Sequence, residues 1–140
     1  MAASLLRGVQ TQEGIVHKRI LVVDDEEAVL FAVAQYFQHY GYEVDGVRNT
    51  LLAKALLRAV DYALVITDLC LTVAQSTKGL EIIRYTRHRC PRARVIMITT
   101  NGSPEIEREA ERLGVDVILH KPTRLPELAQ VVFGLLGSAS

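Results

Sequence analysis

The sequence predicts an α/β fold in which five parallel strands form one open, doubly wound, flavodoxin-like sheet. From Arg19 onward, short β-branched and apolar runs alternate with amphipathic segments, which is the pattern of repeated βα units. Strict alternation of five strands and five helices implies right-handed crossovers. The 140 residues suffice for one domain with its own core, and the pattern leaves nothing for a second domain.

The first half of the chain supplies two strands and two helices. A β-branched run predicts the first strand at Arg19–Val23, and a second strand is predicted at Tyr42–Val47. Apolar residues at three- and four-residue steps predict a first helix after Asp25, ended by Gly41. Its expected buried face is Val29, Ala32, Val33, Tyr36, Phe37 and Tyr40. Asn49 can cap a second helix. The expected buried face of that helix is Leu51, Leu52, Ala55, Leu56 and Ala59.

The second half repeats the alternation. The third strand is predicted at Tyr62–Thr67, followed by a polar loop from Thr72 to Thr77 and a helix that bears Leu80 and Ile83 and that Pro91 breaks. A fourth strand follows at Arg94–Thr99. Ser103, Pro104 and Glu105 then open a helix in the expected order of cap, proline and acid, and Gly114 closes it. The fifth strand is predicted at 115–120, and a last helix carries Leu125, Leu128, Ala129, Val132, Leu135 and Leu136.

Composition and charge exclude several functional classes. Lys plus Arg and Asp plus Glu both number 16, so the formal net charge is zero, and no direct nucleic-acid binding is expected. No run of 18 apolar residues is present, which argues against a membrane span, and residues 1–7 make a poor signal peptide. Cys70 and Cys90 are therefore expected to be free thiols in a cytoplasmic protein. Residues 1–18 are predicted to be a flexible extension, and 19–137 the domain.

Charged side chains follow the predicted strands where each strand ends. Asp24 and Asp25 follow the first strand, Asp68 the third and Lys121 the fifth, while Thr99 ends the fourth. Because ligands of open parallel sheets bind beyond the carboxyl ends of the strands, these side chains are expected to meet. Paired carboxylates are hard oxygen ligands of the kind that Mg²⁺ prefers. The sequence therefore predicts a divalent cation beside a carboxylate that can accept a phosphoryl group.

These residues resemble the receiver domain of two-component response regulators. The resemblance rests on four motifs in their order and spacing: ILVVDDE at 20–26, VITDL at 65–69, VIMITT at 95–100 and HKP at 120–122. It implies that Asp68 is the phosphoacceptor, that Thr99 hydrogen-bonds the phosphoryl group and that Lys121 pairs with it. It also implies a Mg²⁺ site formed by Asp25 directly, Asp24 mainly through water, Asp68, and the backbone carbonyl of Cys70.

Three departures from the family pattern affect the expected switching. The family often has a proline four residues after the phosphoacceptor and a glycine eight after it. Here Thr72 stands at the first place and the matching glycine is Gly79, eleven residues after Asp68, so the loop is about three residues longer. The aromatic switch position, three residues before Lys121, holds Ile118. The residues after the last helix are too few for an output domain in this chain.

The resemblance implies a phosphoacceptor and not an enzyme, apart from self-catalysed phosphotransfer and dephosphorylation. Its expected partners are a histidine kinase or phosphotransfer protein and an unidentified downstream protein, and a homodimer is also compatible with the sequence. Two alternatives stay open. One is a pseudo-receiver that binds proteins without phosphorylation. The other is a Mg²⁺-dependent phosphohydrolase with Asp68 or Asp24 as nucleophile. Such phosphatases usually have a second acid two residues after the nucleophile; Asp68 is followed by Leu69 and Cys70, and Asp24 by Asp25 and Glu26, and a substrate cap is also missing.

Overall fold

Five strands and five helices alternate in the computed structural model, which describes residues 18–69, 73–100 and 103–137. In chain order they are β1 (Arg19–Val23), α1 (Glu27–His39), β2 (Glu43–Val47), α2 (Thr50–Ala59), β3 (Leu64–Leu69), α3 (Val73–Arg89), β4 (Arg94–Thr99), α4 (Pro104–Leu113), β5 (Val117–His120) and α5 (Leu125–Leu136). The strands pair in parallel in the order β2-β1-β3-β4-β5. The predicted doubly wound fold is confirmed. Within the described ranges, no helix has both the length and the apolar content needed to cross a bilayer.

The central strands are buried on both faces, which explains their continuous apolar runs. Helices α1 and α5 cover one face, packing on side chains such as Ile20, Val22 and Ile66. Helices α2 and α3 cover the other face, where Leu21 and Val65 point. Helix α4 completes that layer over β4. Strand β2 is one free edge of the sheet, and β5 is the other.

The predicted start and stop signals act as local capping contacts. The Asn49 Oδ1 accepts a hydrogen bond from the Leu52 N–H at 2.9 Å, and the Ser103 Oγ accepts one from Ile106 at 3.2 Å. Gly114 ends α4 with a φ of +105°, where a Cβ would also lie 2.8 Å from Arg87 Nε. A glycine is therefore required there by conformation and by space.

Several predicted boundaries were wrong. Strand β3 begins at Leu64 and extends through Asp68 to Leu69, because its ladder with β4 continues that far, and β5 begins at Val117. From Val73 onward, the predicted polar loop from Thr72 to Thr77 is instead the start of α3. Thr72 itself, Cys70 and residues 1–17 lie outside the described residues.

The predicted buried faces of α1 and α2 need correction. In α1 the buried residues are Leu30, Val33 and Phe37, whereas Ala32 and Tyr40 are exposed. In α2 the buried residues are Ala53 and Leu57. The residues expected inside include Leu51, Leu52, Ala55 and Ala59, and all four are exposed. Both helices carry more than one apolar stripe, and the connection to β2 decides which stripe faces the sheet.

Candidate functional site

The carboxyl ends of β1 and β3 bring three acidic side chains together. Asp24 and Asp25 directly follow β1, and Asp68 is the fifth residue of β3, the neighbouring strand. Each of the three residues has a carboxylate oxygen that lies within 4.8 Å of such an oxygen in both of the others. The site thus lies where the strand order reverses between β1 and β3, the position at which open α/β sheets bind ligands.

Asp24 is the buried member of this group. Its Oδ1 accepts a hydrogen bond from the Glu26 N–H at 2.8 Å, which orients the carboxylate at the start of α1. Burial raises the pKa of the Asp24 carboxyl above its ordinary value, and the nearby carboxylates of Asp68 and Asp25 raise it further. The Glu26 N–H and the Lys121 ammonium oppose this rise in the pKa of Asp24. Burial of the Asp24 carboxyl is therefore the main reason that its ionised form is disfavoured in the folded protein.

Lys121 supplies a cation to this acidic group. Its Nζ lies 2.7 Å from Asp68 Oδ1, in a pair whose lysine side chain is 34% exposed and whose aspartate is 8% exposed. The Lys121 N–H donates to the Thr99 carbonyl at 2.8 Å, which ties the residue to the end of β4. The peptide bond between Lys121 and Pro122 is cis.

Thr99 is buried at the end of β4, beside Leu69 of β3 and His120 of β5 in the sheet register. His120 turns away from the acids, because its Nε2 lies 2.8 Å from Glu107 Oε2 on α4. The Cys70 carbonyl, implied as a metal ligand by the resemblance, lies outside the described residues.

Two basic residues that the sequence analysis missed line the cavity above the acids. This cavity of about 460 Å³ is bounded by the three aspartates and also by Arg48 and Lys78. The Arg48 Nε donates to the Asp25 carbonyl at 3.2 Å. The strand-end rule that identified the acids also applies to Arg48, because it directly follows the last residue of β2. Lys78 directly follows the segment that was expected to be a loop, and it lies on α3.

A second cavity, of about 670 Å³, reaches the same acids from the side of α1 and α5. Asp24, Asp68 and Lys121 form its polar end, while Val29 and Leu125 are among its apolar walls. The phosphoacceptor candidate is thus flanked by two cavities, of which the second has the more apolar wall. A molecule that reaches Asp68 can contact either of them.

The residues present fit a hard divalent cation. Three carboxylates offer oxygen ligands, and the arrangement leaves room for water, which Mg²⁺ retains when it binds to proteins. Burial is the main cause of the raised pKa of Asp24, with the neighbouring carboxylates adding to it, and a cation bound near the carboxylates would oppose both effects.

A doubly wound sheet with three carboxylates and a lysine at the carboxyl ends of its strands defines the class of protein. The chain belongs to the response regulator receiver domain family, whose sequence profile matches residues 20–133. It is therefore a receiver domain of the kind found in two-component response regulators, a family of signalling domains.

Relatives and solved structures agree with this assignment. The photosynthetic apparatus regulatory protein RegA of Rhodobacter capsulatus is 28% identical over 75% of this chain and 55% of its own length. The transcriptional regulatory protein ResD of Bacillus subtilis is 30% identical over 87% of this chain and 49% of its own length. The chain thus spans about half the length of these two relatives.

Among solved structures, a CheY-like receiver domain protein from Methanospirillum hungatei superimposes with a TM-score of 0.78. That protein is 27% identical, and the match covers 85% of this chain and 93% of the other. A response regulator from Burkholderia pseudomallei, solved with a phosphorylated aspartic acid, a calcium ion and citrate, has a TM-score of 0.73 and 26% identity. That match covers 87% of this chain and 68% of the other.

Proposed function

We propose that this domain accepts a phosphoryl group on Asp68 from a phosphohistidine of a histidine kinase or phosphotransfer protein. The observation that carries the proposal is the pair between Lys121 Nζ and Asp68 Oδ1 at 2.7 Å, placed within a group of three carboxylates. A carboxylate that accepts a phosphoryl group needs cations to offset the charge that accumulates on the transferring oxygens. Lys121 is already positioned as one of them.

The transfer exchanges one bond for another. An Asp68 carboxylate oxygen forms a bond to phosphorus while the P–N bond to the donor imidazole breaks, and the imidazole nitrogen keeps the electron pair and takes a proton from solvent. Positioning and charge stabilisation supply most of the catalysis in such transfers. As negative charge moves from the Asp68 carboxylate onto the phosphoryl oxygens, the Lys121 ammonium moves with it and pairs with those oxygens. The buried Thr99 hydroxyl donates a hydrogen bond to one of them.

Asp24, Asp25 and Asp68, together with the Cys70 carbonyl, would hold Mg²⁺. By the family resemblance, Asp25 binds it directly and Asp24 mainly through water. When bound, the ion supplies positive charge that stabilises the phosphoryl oxygens. Arg48 keeps the Asp25 segment in place through its contact with the Asp25 carbonyl.

We infer that output passes through a protein surface formed by α4, β5 and α5, read by a downstream protein in the cytoplasm. Thr99 begins this surface, and Ile118 on β5 packs beneath α4 in the cluster that contains Met97 and Ala110. Because an isoleucine stands where the family has an aromatic switch residue, we expect repacking of Ile118 without aromatic rotation. Amide exchange with a beryllofluoride phosphoryl mimic should change within residues 103–120. Change confined to α3 would overturn this inference.

Labelling tests the proposal directly. The protein is incubated with Mg²⁺ and acetyl phosphate, and its intact mass is compared with that of Asp68→Asn. One added phosphoryl group on the unmodified sequence, and none on the variant, is the expected result. Folded protein that takes no label favours the phosphorylation-independent pseudo-receiver. Continuous phosphate release at high turnover favours a phosphohydrolase, and label retained by Asp68→Asn places the acceptor elsewhere.

A further inference from the structure

Large apolar side chains are exposed at one edge of the domain. Phe31 is 65% exposed, Leu51 76% and Leu52 49%, and the first two of these residues belong to different helices that flank β2. Leu51 and Leu52 had the apolar pattern of core residues, yet α2 buries Ala53 and Leu57 instead. Leu51 also lines the cavity above the three aspartates, whereas Phe31 and Leu52 do not.

Phe31 and Leu52 line one shallow groove of about 690 Å³ along the free edge of the sheet. Helix α1 forms one wall and the start of α2 forms the other, with the end of β2 as the floor. Gly46 lies in this floor, and a Cβ there would be 3.2 Å from Leu30 Cδ2. The Leu30 side chain therefore fills the space that a Cβ of Gly46 would need, and the glycine lets α1 approach β2 closely.

Charges also differ between the two walls. Glu27 lies on the α1 side of the groove and Arg48 on the α2 side. The other half of the β2 edge carries Glu43 and Asp45, which Arg19 engages. Charged residues on an edge strand discourage strand-to-strand pairing. Contact at this edge is therefore limited to the half that contains Gly46.

We propose that this groove seats a second copy of the chain in a two-fold symmetric dimer. In such a dimer the same surface is used twice, so each wall of the groove meets the opposite wall of the partner. Phe31 then lies against the partner's Leu52, and Glu27 faces the partner's Arg48. Apolar side chains on both walls and opposite charges on one patch make the surface complementary to itself.

A different partner fits this surface less well. A strongly acidic segment would be repelled at the Glu27 wall, and a strongly basic segment would be repelled at the Arg48 wall. The exposed apolar area comes from only a few side chains, and small interfaces belong to weak, transient complexes. The expected dimer is thus in rapid exchange with the monomer.

Sedimentation equilibrium of the whole chain over a range of concentrations tests the dimer. We expect a monomer–dimer equilibrium, with the dimer weakened by roughly tenfold or more in Phe31→Ser and in Leu52→Asp. The matched control is Tyr40→Ser, which removes a 42% exposed aromatic from the opposite end of α1 and should leave the dimer constant unchanged. A chain that stays monomeric throughout, or a dimer that survives both groove variants, overturns the proposal.

A charge exchange distinguishes a second copy from any other occupant of the groove. Glu27→Arg and Arg48→Glu should each weaken the dimer, because each places like charges across the two-fold axis. The double variant should restore it, since the opposite charges are then merely exchanged. Failure of the double variant to recover the dimer contradicts the proposed geometry. Acetyl phosphate labelling of Phe31→Ser should match the unmodified chain, which separates this proposal from the proposed function.

Discussion

Replacing Lys121 with methionine isolates the contribution of the single cation paired with Asp68. Methionine keeps an unbranched apolar stem in place of the lysine stem but removes the ammonium group. The three carboxylates at the strand ends then lie within 4.8 Å of one another without that charge. We expect the metal-free protein to unfold at lower denaturant concentration at neutral pH.

The size of the loss follows from the geometry of the pair. At the 2.7 Å separation of Lys121 Nζ and Asp68 Oδ1, an effective dielectric constant of about 20 gives a gross attraction of about 6 kcal/mol. Desolvation of both groups offsets much of this attraction, and the lysine is one-third exposed. The variant should therefore lose about 1–3 kcal/mol of the free energy of unfolding.

Urea unfolding followed by circular dichroism measures this loss within a double-mutant cycle. The cycle combines Lys121→Met with Asp68→Asn, and the expected coupling is about 1–2 kcal/mol in the absence of Mg²⁺. Adding Mg²⁺ should stabilise Lys121→Met because a ligand that binds only the folded state raises its stability. A coupling near zero, or a more stable Lys121→Met protein without metal, would refute the view that the lysine offsets carboxylate repulsion.

Three further predictions concern other titratable groups. Asp25→Asn should weaken Mg²⁺ binding, measured by calorimetric titration, more than Asp24→Asn does, and equal losses would count against direct ligation by Asp25. Because the pKa of Asp24 is raised in the folded state, the stability that its protonated form provides is lost as pH rises through the folded pKa. Metal-free Asp24→Asn should lack that fall in the free energy of unfolding, and an unchanged pH profile would contradict the burial argument. Burial and the hydrogen bond to Asp45 raise the pKa of Tyr62, so stability should fall above about pH 10. Tyr62→Phe should remove this alkaline fall at a cost of about 1 kcal/mol at neutral pH, and a persistent fall would point to another group.

The sequence predicted the strands best where they are buried on both faces. Strands β1 and β4 match their predicted bounds, because each is a continuous apolar run between clear start and stop signals. The end of β3 was missed because Asp68 looks like the first residue beyond a strand, yet it pairs with Ile98 in the ladder. The buried face of α2 was missed because Leu51, Leu52, Leu56 and Leu57 surround a short helix. Only the tertiary connection selects the stripe that faces the sheet.

The grouping of the acids could be anticipated from one rule, that parallel strands present their carboxyl ends at the same edge. The contact of Arg48 with the Asp25 carbonyl could not, because arginine after a strand has many exposed orientations. The raised pKa of Asp24 also depends on burial under α1, which residue types alone do not determine. The sequence thus indicates which side chains lie together. The burial and carboxylate repulsion that raise the pKa of Asp24 depend on how the site is packed.

Under the proposed function, the electrostatic cost of grouping the three carboxylates links phosphorylation of Asp68 to the packing of β4 and β5. Lys121 pairs with Asp68 before any phosphoryl group arrives, and its N–H is bonded to the Thr99 carbonyl. A phosphoryl group carries negative charge outward from the Asp68 carboxylate, so the Lys121 ammonium must follow it. Because the Lys121 backbone is tied to β4, this movement alters the contact between the ends of β4 and β5. The buried Thr99 hydroxyl can respond to the same charge. Ile118 lies two residues before His120, the residue that pairs with Thr99, and Ile118 itself pairs with Met97 of β4. A local change of charge is therefore converted into a change of packing beneath α4, with no aromatic side chain required.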